Sequence, residues 1–215
     1  MNSPASLPLF QSRVVPVIVV TDPAQAVPMA EALLAGGVDV MEITLRSAAG
    51  LAAIEAVARA VPEMQVGAGT VTRASEVAQV LAAGARFGLS PGSTPGLLAA
   101  VLAAGLPFVP GVASPSEAMA ARDAGFTLMK CFPAAQLGGV EVLKAWGGPL
   151  PDLRFCPTGG VSLANMGSFL ALPNVAMVGG SWLTPAAAVK AGDWAQITRL
   201  AREATEAVNA LQSVR

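Results

Sequence analysis

Short β-branched or apolar runs alternate with Ala/Leu-rich stretches along almost the whole chain, and this alternation restricts the fold more than any other feature. The runs begin at Val14, Asp39, Gln65, Ala85, Pro107, Thr127, Arg154 and Val175, about 20 to 27 residues apart, which fits a strand, a short loop and a crossover helix. They predict strands over Val14–Val20, Asp39–Leu45, Gln65–Val71, Ala85–Ser90, Pro107–Ala113, Thr127–Pro133, Arg154–Val161 and Val175–Trp182. The stretches between them predict helices over Pro23–Ala35, Leu51–Val61, Ala74–Ala83, Thr94–Ala104, Pro115–Ala124, Val140–Trp146, Leu163–Ala171 and Asp193–Leu211. Asp22-Pro23 and Ser114-Pro115-Ser116-Glu117 read as helix starts, and Gly36, Gly84, Gly105 and Gly125 as helix stops. Strands joined by right-handed crossovers run parallel, and eight such units favour closure over an open doubly wound sheet. The expectation is an α/β fold, a (β/α)8 TIM barrel forming a single compact domain over residues 1–215. Ser6–Ser12 is expected as a further short helix covering the bottom of the barrel.

Composition narrows the chemistry. With 53% apolar and 13% charged residues the chain has the apolar surface a folded core needs. A net charge of −1 without a basic run argues against nucleic acid or anionic lipid as a partner. Phe87–Ser116 carries no charge, yet Pro91, Pro95, Pro107 and Pro110 interrupt it, so a membrane span is not expected. Met1–Arg13 lacks the pattern of a secretory signal, and Cys131 and Cys156 have neither metal spacing nor the number for a disulfide framework. A soluble protein of a reducing cytoplasm is expected. Histidine and tyrosine are absent, so acid–base work must fall to Glu, Asp, Lys or Cys, and no motif requires a catalytic metal.

Two predicted strands carry charges where strands of a parallel sheet rarely do. In the second, Met41, Ile43 and Leu45 share one face while Glu42, Thr44 and Arg46 share the other. In a barrel the apolar face meets the helices, so Glu42 and Arg46 point toward the axis, with Arg46 near the C-terminal mouth where barrel enzymes do chemistry. A structural Glu42–Arg46 ion pair would satisfy the same pattern. In the sixth strand, Lys130 is a lone cation among apolar residues. The other two lysines, Lys144 and Lys190, read as solvent-facing. A lysine enclosed in a low-dielectric barrel loses its proton more easily, by up to roughly 3–5 pKa units when fully buried, and a neutral amine attacks ketones. Lys130 therefore suggests a Schiff-base nucleophile; a stem packed in the core with its ammonium reaching the mouth is the plainer alternative.

Thr158-Gly159-Gly160-Val161 and Val178-Gly179-Gly180-Ser181 place glycine pairs at the ends of the last two strands, where barrels of this kind bind phosphate through backbone N–H groups. Tight turns would explain either pair alone. Gly88-Leu89-Ser90-Pro91-Gly92 matches a nucleophile elbow by letters only, because the elbow needs a histidine and the N–H that Pro91 lacks. Gly67-Ala68-Gly69-Thr70 begins like a dinucleotide fingerprint but has no third glycine.

Val15-Pro16-Val17-Ile18-Val19, Glu42-Ile43-Thr44-Leu45-Arg46, Gly67-Ala68-Gly69-Thr70-Val71, Ser90-Pro91-Gly92, Lys130-Cys131-Phe132-Pro133-Ala134, Phe155-Cys156-Pro157-Thr158-Gly159-Gly160-Val161 and Gly179-Gly180-Ser181-Trp182-Leu183 occur in this order. Together they resemble the 2-keto-3-deoxy-6-phosphogluconate (KDPG) and 4-hydroxy-2-oxoglutarate aldolases. The resemblance implies a class I aldolase, needing no metal or cofactor, that splits KDPG into pyruvate and glyceraldehyde 3-phosphate in the Entner-Doudoroff pathway. It also implies a cytoplasmic homotrimer. Carried onto matching positions, it makes Lys130 the Schiff-base residue and Glu42 the acid/base, with Arg46 and Thr70 on the pyruvyl carboxylate. Gly159, Gly160, Gly180 and Ser181 would receive phosphate, with Thr158 among the substrate-binding residues and Pro91 and Phe132 lining the pocket.

One position departs from the family pattern. Cys131 stands where the Lys-Phe-Phe-Pro version has a second aromatic; strand parity turns it away from Lys130, toward the helices. The galactonate-derived epimer and 4-hydroxy-2-oxoglutarate would use the same lysine and carboxylate clamp. From other classes, phosphosugar isomerases and a non-catalytic sugar-phosphate-binding barrel share the predicted fold.

Overall fold

A computed structural model of the chain describes residues 10–213. Its strands are β1 (Val14–Ile18), β2 (Val40–Thr44), β3 (Gln65–Gly69), β4 (Phe87–Leu89), β5 (Phe108–Val109), β6 (Gly111–Val112), β7 (Leu128–Cys131), β8 (Arg154–Pro157) and β9 (Val178–Gly180). Each of the eight predicted strands is present. The fifth is split into β5 and β6 at Pro110, which has no N–H to give to a ladder. The predicted sixth, seventh and eighth strands are therefore β7, β8 and β9.

All pairings are parallel. One sheet runs β5-β4-β3-β2-β1-β9 and the other β6-β7-β8. Chain continuity through Pro110 joins them at one side. At the other side, isolated parallel bridges link Phe155 to Val175 and Thr158 to Gly179. The result is a parallel, curled sheet wrapped by helices.

The helices follow from amphipathic spacing and their caps. In α4 (Pro95–Ala104), Thr94 accepts a hydrogen bond from the Leu97 N–H at 3.3 Å, and Gly105 ends the helix in the left-handed conformation. In α5 (Pro115–Asp123), Ser114 and Glu117 form the reciprocal capping box that the sequence signals. The last helix, α9 (Trp194–Ser213), hydrogen-bonds back to α1 (Ala26–Ala35) through Thr198, whose hydroxyl donates to the Ala32 carbonyl. One helix of the structure, α8 (Ala186–Ala191), was not predicted. It is a six-residue alanine-rich turn after Pro185, too short for an apolar stripe to register.

Strands β1 and β2 are buried along their full length, as parallel strands covered on both faces must be. Met41 and Ile43 sit in the outer core, whereas Val17, Glu42, Gly67 and Phe87 form one cross-strand row on the opposite face. Phe10 packs on Phe87 with ring centroids 5.4 Å apart, so the aromatic that precedes β1 fills the N-terminal end of the inner space. The expected Ser6–Ser12 helix lies outside the described residues for its first part, and in the remainder Phe10 and Gln11 form a bend and Ser12 is not helical. Among the described residues no helix is long and apolar enough to cross a membrane.

Candidate active site

The two charged residues that stood out in the strands meet. Lys130 on β7 and Glu42 on β2 belong to different sheets and lie 88 positions apart, yet Nζ donates to Glu42 Oε1 at 2.9 Å and to Oε2 at 3.2 Å. Their side chains are 6% and 1% exposed. Such a contact requires the sheet to curl until these two strands face one another across the interior. Burying either charge alone would be prohibitive, and the pair with two hydrogen bonds makes both tolerable. The Glu42–Arg46 ion pair considered from strand parity is not formed; Glu42 bonds to Lys130. Lys130 Nζ also lies 5.8 Å from the centroid of the Phe132 ring.

Space for the Glu42 carboxylate comes from Gly69, the last residue of β3. A Cβ there would fall 2.1 Å from Glu42 Oε1. Gly67 gives way in the same manner to the Phe87 ring. The Gly-x-Gly pattern that imitated a dinucleotide fingerprint is thus a pair of close approaches on the inner face. We expect Gly69→Ala to displace Glu42 from Lys130, lowering turnover and destabilising the fold by about 1–3 kcal/mol, the usual scale of overpacking. Steady-state kinetics and a thermal melt check both.

Above the ion pair, at the C-terminal ends of the strands, Arg46, Phe132, Thr158, Gly159, Gly160, Gly180 and Ser181 line one cavity of about 160 Å³ together with Val17 and Val161. A second, larger groove of about 720 Å³ shares Val17, Arg46 and Ser181 with it and is lined also by the exposed Lys190. Gly159 and Gly160 have φ of 96° and 76°, a backbone that β-carbons disfavour, and the Ala134 and Ala135 N–H groups donate to the carbonyls of Thr158 and Gly159. The loops after β7 and β8 are therefore laced together at the mouth.

A family model described as KDPG and KHG aldolase matches residues 8–200. The chain belongs to this aldolase family. It is 53% identical over 194 residues to a 2-dehydro-3-deoxy-phosphogluconate aldolase of Pseudoalteromonas atlantica, covering 90% of each chain. It is 52% identical over 198 residues to a KHG/KDPG aldolase of Escherichia coli, covering 92% of this chain and 93% of the relative. Among solved structures it superposes with a TM-score of 0.87 and 46% identity on KDPG aldolase from Legionella pneumophila with pyruvate captured at low pH as a covalent carbinolamine intermediate. That match covers 89% of this chain and 93% of the other.

Of the residues singled out in the sequence, Lys130, Glu42, Thr70 and Pro91 fall outside the lining of the smaller cavity: the first two form the buried ion pair, and Thr70 and Pro91 stand at the same end of the sheet. Thr70 follows Gly69 directly and takes φ of 59°, an uncommon conformation for a β-branched residue. The Pro91 backbone packs against Gly111, which is paired in register with Lys130. The buried Ser90 hydroxyl accepts from the Gly111 N–H at 3.1 Å and holds that approach.

Cys131 is buried. Cys156, in register with Lys130, shares its row. Burial pushes both thiols up to about 12, so at neutral pH both stay protonated and neither is a thiolate nucleophile. Val17 was missed as a lining residue because β1 is apolar on both faces and offers no alternation. Its register with Glu42 places it on the inner face.

Proposed function

We propose that this chain is a class I aldolase that cleaves KDPG into pyruvate and glyceraldehyde 3-phosphate through a Schiff base on Lys130. The observation that carries the reading is the enclosed amine of Lys130, hydrogen-bonded to a carboxylate, below a cavity that Arg46, Gly159, Gly160 and Gly180 line. The relatives named as KDPG aldolases support it, as does the pyruvate carbinolamine in the Legionella pneumophila relative.

Each step has a residue for it. Glu42 takes a proton from Lys130 as the amine attacks the C2 ketone and delivers it to the carbinolamine hydroxyl, which leaves as water to give a protonated imine and a carboxylate ready to act again. The iminium draws the C3–C4 bonding electrons toward nitrogen. Glu42, directly or through one water, accepts the C4 hydroxyl proton as glyceraldehyde 3-phosphate departs. The remaining enamine takes a proton at C3 from the same carboxyl, and hydrolysis of the pyruvyl imine frees pyruvate and Lys130. One carboxylate serves these transfers because it already touches the nitrogen on which the intermediates form.

Arg46 and Thr70 hold the pyruvyl carboxylate in this reading, Phe132 and Pro91 border the reacting carbons, and Thr158, Gly159, Gly160, Gly180 and Ser181 receive the distal phosphate. Arg46→Lys keeps the charge but loses the planar fork, so kcat/KM is expected to fall by about 10- to 100-fold. Steady-state assays with KDPG measure it, and unchanged kcat/KM would remove the carboxylate role. 4-Hydroxy-2-oxoglutarate is the second substrate we assign, supported by the KHG/KDPG name of the Escherichia coli relative. Relative kcat/KM for both substrates and for the galactonate epimer ranks the three.

The same reading takes residues 1–215 as one domain whose two sheets form one closed eight-stranded barrel, supported by the Pro110 continuity and the isolated bridges Phe155–Val175 and Thr158–Gly179. It places the enzyme in the cytoplasm as a homotrimer, with sedimentation equilibrium as the test of assembly. The experiment that tests the function itself is borohydride reduction in the presence of pyruvate, followed by peptide mass mapping. A pyruvyl adduct on Lys130 is expected. No adduct, with ligand still bound, would leave a non-catalytic sugar-phosphate site in its place.

A further inference from the structure

Thr44 ends β2 and is fully buried. A buried hydroxyl is costly unless bonded, and this one has two partners. It donates to the Ile18 carbonyl on β1 at 2.9 Å and accepts from Arg46 Nε at 3.3 Å. With its only proton directed at a backbone carbonyl, the oxygen is left to act as an acceptor in a fixed direction. Arg46 is exposed, and among the described residues its two terminal nitrogens make no hydrogen bond. A long exposed side chain visits many rotamers, and ordering it at the moment of binding costs conformational entropy.

We infer that Thr44 is a positioning residue. It engages the Nε edge of Arg46 and so presents the Nη1/Nη2 edge to the substrate carboxylate, with part of the ordering already done before substrate arrives. This rests on the reading of Arg46 as the carboxylate clamp. Ser47 offers an internal comparison. Its hydroxyl donates to the Val20 carbonyl, one residue beyond Arg46, and so ties down the same loop without touching the guanidinium.

The test compares Thr44→Val, Thr44→Ser and Ser47→Ala by steady-state kinetics with KDPG and by the pyruvate concentration that half-saturates borohydride trapping. For Thr44→Val, KM and the pyruvate half-saturation are expected to rise by about 10-fold, as for loss of one hydrogen bond to a charged group, while kcat stays within about twofold. Thr44→Ser is expected to restore both. In an Arg46→Gln background Thr44→Val is expected to add nothing, because its effect passes through the guanidinium. Wild-type saturation in Thr44→Val, the same factor persisting without Arg46, or an equal rise in Ser47→Ala would each overturn the inference. Thr44→Ala is read in the same way if the valine variant does not fold. Absence of a pyruvyl adduct in the wild-type chain would overturn the aldolase reading and this inference together.

Discussion

Lys130→Met is expected to lose the pyruvyl adduct and the cleavage reaction together, with kcat/KM falling by about 10⁴- to 10⁶-fold, the scale on which removal of a covalent nucleophile acts. Neither of the other two lysines stands in for it, since Lys144 and Lys190 are exposed on helices α6 (Gly139–Gly147) and α8. Methionine matches the lysine stem but leaves Glu42, 1% exposed, without its cation. Removing one partner of a buried ion pair costs about 3–5 kcal/mol. The single variant should therefore melt earlier, and Lys130→Met combined with Glu42→Gln should recover much of that loss while staying inactive. Borohydride trapping, turnover and a thermal melt on both variants separate missing chemistry from missing stability. Wild-type turnover in a well-folded Lys130→Met protein would falsify the covalent mechanism.

Glu42→Gln is expected to divide the reaction. The amide can still hydrogen-bond Lys130 Nζ, so the imine with pyruvate should form and be trapped, more slowly than in the wild type. It cannot accept the C4 hydroxyl proton or return one to the enamine, and turnover should fall by about 10²- to 10⁴-fold. Proton exchange at the pyruvate methyl group, followed by NMR in deuterated solvent, should slow by a similar factor because it uses the same transfer. If exchange and cleavage both ran at wild-type rates, the general acid/base would have to be sought elsewhere.

The repeating architecture was readable in the chain because its causes are local. Alternation at i, i+2 marks a strand, spacing at i, i+3 and i+4 marks a helix face, and residues such as Ser114, Glu117 and Gly105 act within one turn of where they stand. Glu42 and Lys130 were conspicuous for a similarly local reason, as charges set among apolar residues in strands. Where two structures satisfy the same local pattern, as with a continuous fifth strand and one broken at Pro110, spacing does not distinguish them. The six-residue α8 was invisible because it is shorter than two periods of the signal that would reveal it.

Partnership across the interior had no local trace. Strand parity placed Glu42 and Arg46 on one face and left an ion pair between them open; in the folded chain Glu42 bonds to Lys130, and Arg46 bonds to Thr44. Gly69 had no reason to be glycine in the sequence once the dinucleotide fingerprint was set aside; the Glu42 carboxylate leaning over it supplies one. Register and curl are responsible for these outcomes. A side chain's direction follows from its own strand, whereas the atom it meets depends on how far every neighbouring strand is staggered and how tightly the whole sheet bends, quantities to which all the packed helices contribute.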